Sequence, residues 1–172
     1  VCSTIHIHPL RSSSMVETSI QLSTSAVATA AGLSESWAWK ARDQGVLHAP
    51  HFEDAVVALR VYAFVSQIVW PGNRRPRSAR QDLELWQSSA VEAARDAVSD
   101  PNTTSETALW VLEDSVHLVT SPGQRAAFDL DHLNGRVAFR IPVGLWVAEL
   151  PEAIAALGAR RRRTSPTPKP AA

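Results

Sequence analysis

The stretch Ser25–Leu47, SAVATAAGLSESWAWKARDQGVL, decides how this chain reads. Ala26, Val27, Ala30 and Ala31 give a first short helix a small apolar face, which lets a second helix cross it closely. Gly32 stands where that helix must stop, because glycine takes a left-handed C′ conformation without steric cost. Ser34 predicts an N-cap, its hydroxyl accepting from the exposed amides of the next helix. On that helix Ala38, Ala41 and Gly45 share one face with Trp37 at its margin, while Ser36, Trp39, Lys40 and Asp43 point away. Gly45 ends it, and Val46 and Leu47 turn back toward a core. The pattern predicts a helix-turn-helix.

Working outward, Phe52–Trp70 reads as a long apolar helix broken by Pro71 and Gly72. Ser78–Val98 reads as a second long helix, stopped at Asp100-Pro101. Its Leu83, Trp86, Ala90, Ala93 and Ala97 recur at spacings of three and four, which fits a short dimerisation seam or a helix packed on its own chain. Beyond Thr107 the pattern changes. Leu109–Leu112 and Val116–Val119 are β-prone runs around Glu113-Asp114-Ser115, and Val137–Ile141 alternates as a third. Pro142 and Gly144 bend or end it, with a further short strand at Leu145–Ala148. Helices first and strands later predict an α+β fold. The expected organisation is a disordered leader (1–19), a helix-turn-helix domain (20–70), a basic loop and linking amphipathic helix (71–100), a small β-rich C-terminal module (101–157) and a disordered basic, proline-rich tail (158–172). Met15, the only methionine, is a candidate translation start.

The run Gly32-Leu33-Ser34, ten residues of helix and then Gly45-Val46-Leu47 resembles the helix-turn-helix of the MerR superfamily and its excisionase-like relatives. The acidic start Glu53-Asp54 of the apolar segment that follows is similar to those families' next helix. The likeness covers about 45 residues. It implies that the second helix enters a DNA major groove, with Ser34 and Ser36 toward phosphates or bases and Lys40 toward phosphate. Trp39 then packs on the sugar-phosphate surface or on another part of the protein. The chain departs from the family twice. Only His48–His51 separates Leu47 from Phe52, so the basic wing shrinks to a tight connection. Glu35-Ser36-Trp37 replaces the usual arginine early in the recognition helix. The missing positive charge falls to Arg74, Arg75, Arg77 and Arg80 in the loop after Trp70.

Charge and composition constrain the alternatives. The 172 residues carry a formal net charge of zero, so a DNA surface depends on local clusters, and the two clusters are Arg74–Arg80 and Arg160–Arg163. Ala- and Arg-rich usage with a single lysine before the tail suggests a GC-rich bacterial genome. No apolar run is long enough for a membrane span, and no segment resembles a secretory leader. The single cysteine, Cys2, precludes an intrachain disulfide and fits a reducing cytoplasm. The six tryptophans read as core or interface rather than as a base-stacking platform. Phosphate-binding glycine loops, nucleophile elbows and HExxH are absent. His117 and His132 read as isolated, and Cys2, His6 and His8 as a poor chelating set. The reading is therefore a non-enzymatic, cofactor-free DNA-binding protein, a cytoplasmic bacterial transcriptional regulator acting on double-stranded DNA as a homodimer, with any small-molecule effector unspecified. The alternatives are a protein-interaction or assembly factor whose helices serve only packing, and an excisionase-like or architectural protein of a plasmid or phage.

Overall fold

Two left-handed glycines, Gly32 (φ +70°) and Gly45 (φ +71°), close the first two helices. The computed structural model describes residues 20–71 and 84–164, with side chains as far as Ala159. Helix α1 (Thr24–Ala30) starts at Ser23, whose Oγ accepts from Ala26 N at 3.2 Å. Helix α2 (Glu35–Asp43) follows after the predicted turn. Both end in the same way. Leu33 N donates to Ala28 O at 2.9 Å and Gly32 N to Thr29 O at 3.1 Å; Val46 N donates to Ala41 O at 2.7 Å and Gly45 N to Arg42 O at 3.0 Å. These are paired Schellman bonds, and they need the positive φ that glycine supplies.

Helix α3 (Glu53–Val65) is apolar on nearly every side, and a helix of that kind belongs inside a core. Val56, Val57, Ala58, Leu59 and Val61 are fully buried. It ends at Val65, short of the predicted Trp70. Trp70 instead turns inward, edge-on to Trp86 at 5.9 Å and to Phe139 at 5.1 Å between ring centroids. Helix α4 (Leu85–Ser99) opens with a reciprocal Glu84/Gln87 capping box. The earlier part of the predicted helix, with Leu83, lies outside the described residues. The seam proposed for dimerisation is occupied within the chain: Trp86, Ala90 and Ala97 are buried in the core that α4 forms with α3.

Strands β1 (Ala108–Val111), β2 (Val116–Val119) and β3 (Phe139–Ile141) form an antiparallel sheet ordered β2-β1-β3. The register sets Trp110 opposite His117 on one side and Arg140 on the other. Leu109, Val111 and Ile141 face the helices and join their core, together with Val116, Leu118 and Phe139. Ala108, Trp110 and Val119 face the other way, where Phe128 covers them. The central strand is thus buried on both faces, which is why it reads as a continuous apolar run.

Two parts of the C-terminal half differ from the expectation of a separate β-rich module. Helix α5 (Pro122–Phe128), continued by a π-helical turn at Asp129–Leu133, packs beside β2. The predicted strand Leu145–Ala148 lies inside helix α6 (Val143–Thr164), which runs on through Pro151 into the segment expected to be disordered. Val143 and Leu150 are buried, with Trp146, Val147, Ala153 and Leu157 packed against the same core. That spacing is helical. Burial of this stripe outweighs the backbone hydrogen bond that Pro151 removes. No helix among the described residues is long and apolar enough to cross a membrane.

Candidate nucleic-acid interface

The inner face of α2 is set by Ala38 and Ala41, both fully buried. Trp37 is half-buried and meets Tyr62 of α3 edge-on at 6.0 Å. The opposite face is open: Ser34, Glu35, Ser36, Trp39, Lys40, Arg42 and Asp43 are all exposed. Trp39, at 45% exposure, is the most exposed tryptophan among the described residues.

Two arginines brace this helix pair from behind. Arg60 of α3 donates from Nε to Ala31 O at 3.1 Å and from Nη2 to Ala30 O at 3.3 Å, satisfying carbonyls at the negative end of α1. Arg95 of α4 donates to Val46 O at 2.6 Å and pairs with Asp54, tying the end of α2 to the helices beneath it. The connection after α2 is as short as the sequence predicts. Its only strand-like pairing is an isolated bridge between Leu22 and His51, with Thr24 Oγ1 3.2 Å from His51 Nε2.

Ser34, Ser36, Trp39 and Lys40 therefore come together on one exposed surface. Ser34 is at the N-cap position but makes no capping bond; its Oγ lies 2.8 Å from Ser36 Oγ. Glu35 accepts from Ser25 of α1, which directs its carboxylate back along the protein. Lys40 Nζ sits 5.1 Å from the centroid of the Trp37 ring. Arg74, Arg75, Arg77 and Arg80 lie outside the described residues, as do Cys2, His6 and His8. Arg42 was missed. Its guanidinium carbon lies 4.2 Å from the centre of the Trp39 ring, so the two form an exposed aromatic–cation pair on α2. The spacing of three residues on a helix was the available signal.

His117 and His132 are not isolated, as the sequence suggested. Their ring centroids are 4.1 Å apart, and both stack near Phe128. Burial and the neighbouring His132 hold the His117 imidazole below its usual range. Its Nε2 is 3.1 Å from Ser115 Oγ, but that hydroxyl donates to Asp114, so the imidazole acts as donor and not as a base toward serine. No group of three or more potential metal ligands occurs among the described residues. Comparison with protein-family models, curated proteins and solved structures gives no match to this chain.

Proposed function

We propose that the chain binds double-stranded DNA through the outer face of α2 and acts as a transcriptional regulator. The observation that supports this most is the asymmetry of α2. Its inner face is closed against α1 and α3, while Ser34, Ser36, Trp39, Lys40 and Arg42 face solvent with no other part of the described chain over them. A rigidly held helix with one polar face free is what entry into a major groove requires. Lys40 and Arg42 supply phosphate contacts, Ser34 and Ser36 short-range donors, and Trp39 an apolar surface for sugar or a base methyl. The loop arginines from Arg74 to Arg80 add phosphate neutralisation. On this reading the protein works in the bacterial cytoplasm as a homodimer on paired half-sites. The dimer contact is then not the buried stripe of α4.

The second reading is protein docking through the same face, and the exposed Trp39–Arg42 pair favours it, because both residue types concentrate at protein interfaces. Selection of bound sequences from a random duplex pool separates the two. A regulator enriches a defined motif, and that enrichment falls with Lys40→Ala, Arg42→Ala or alanine at the loop arginines. A docking protein enriches none.

A further inference from the structure

On the outward face of the sheet α5 packs beside β2, and a cleft is lined there by β1, the end of β2, the start of α5 and Arg140 of β3. The cleft has a volume of about 480 Å³, and its apolar base is formed by Ala108, Trp110 and Val119, each largely buried under Phe128 and its neighbours. That volume lies within the range of small-molecule sites. Two guanidiniums flank Trp110. Arg125 stacks on its ring with the guanidinium carbon 3.9 Å from the centroid, and Arg140 is its cross-strand partner.

The two arginines differ in what they already hold. Arg125 donates its Nε–H to both carboxylate oxygens of Asp129, at 2.8 and 2.9 Å. The Arg140 side chain is exposed and has no hydrogen-bond or ion-pair partner among the described residues. Glu106 also lines the cleft. Two carboxylates, Asp129 and Glu106, balance the two guanidiniums, so no net positive charge is left to hold phosphate or a dicarboxylate; what the cleft offers an anion is the single guanidinium of Arg140, which forms no ion pair with Glu106.

One wall is also rigid. Gly144 of α6 donates to Thr107 O at 2.9 Å, and a Cβ at Gly144 would lie 1.9 Å from Thr104 O, so the Thr104–Thr107 turn is seated directly on the helix. A preformed wall lowers the ordering cost of binding.

We propose that this cleft binds a small monocarboxylate with an aromatic or aliphatic body, its carboxylate on Arg140 and its apolar part over Trp110. A planar fork of donors suits a carboxylate. The site is separate from α2, and the proposal does not depend on DNA binding.

The test is calorimetric titration of the full chain, without DNA, using benzoate, 4-hydroxyphenylacetate and indole-3-acetate, each beside its neutral amide. At least one acid is expected to bind with a Kd of about 1 mM or tighter, and its amide about tenfold more weakly. Arg140→Ala weakens the acid about tenfold and leaves the amide unchanged, and Arg140→Lys restores part of the loss. Arg140 is an exposed strand residue, so these variants keep the fold. Acid and amide binding equally, an acid insensitive to Arg140→Ala, or no acid reaching that affinity would each overturn the assignment.

Discussion

Arg60 and Glu149 join the α1–α3 helices to the C-terminal helix α6. The Arg60 Nη1 lies 2.9 Å from Glu149 Oε2, while the rest of its guanidinium serves the last carbonyls of α1. The Trp146 ring, one turn before Glu149, sits 5.7 Å from the same guanidinium. One side chain thus fixes α1, α3 and α6 together. Arg60→Ala should lower unfolding stability by about 2 kcal/mol in urea titrations, since it leaves part-buried carbonyls unpaired. Glu149→Ala should cost less than about 1 kcal/mol, because its carboxylate is half exposed and the pair alone is weak. Equal effects would mean that the ion pair, not the carbonyl contacts, does the bracing.

Gly144→Ala tests the close seating of α6 on the turn before β1. The added methyl would overlap backbone at Thr104 O and Thr107 N, which no rotamer change can relieve. A loss of about 2 kcal/mol or more is expected from thermal or urea unfolding. Gly158→Ala, where nothing lies near the added methyl, should be neutral or slightly stabilising.

Acid should weaken the outer layer of the sheet through His117. Its folded-state pKa is depressed, so the folded protein binds fewer protons than the unfolded chain in the window below about pH 6.5. Stability is accordingly full above that value and declines as pH falls through it. His117→Phe should flatten that decline in melting temperature between about pH 7 and 5. His132→Ala should lessen it, since a second imidazole no longer opposes protonation.

At the other end of α2, Gly45→Ala should cost about 1 to 2 kcal/mol through backbone strain alone, because only His48 lies near the added methyl, at ordinary contact distance. Retention of full stability would show that the Schellman closure tolerates a side chain.

The N-terminal half was legible because local chemistry and burial agree there. Gly32 and Gly45 mark helix ends that the structure closes with paired bonds, and Ala38 and Ala41 mark the buried face of α2. The strands were legible for the same reason, since β1 is apolar on both faces and Phe139 and Ile141 alternate with Arg140. The C-terminal helices were harder. Ser121 with Gln124 is a capping signal for α5, and the Ser121 Oγ does accept from Gln124 N, but the helix is short and sits between strands. In α6 the stripe Val143, Trp146, Val147, Leu150 was present, yet Pro142, Gly144 and Pro151 are local breakers, and only packing against four other elements, α1, α3, α4 and β1, outweighs them. The Trp110 cleft had no linear signature, because Arg125 and Arg140 come from separate elements brought together by the sheet register.

Affinity for duplex DNA as a function of salt, followed by fluorescence anisotropy with the full chain, bears most directly on the role of α2. We predict that log K falls steeply with log salt, and that Lys40→Ala and Arg42→Ala each weaken binding and reduce the slope by about one. Affinity that is absent for every duplex, or that both substitutions leave unchanged in strength and slope, would contradict it.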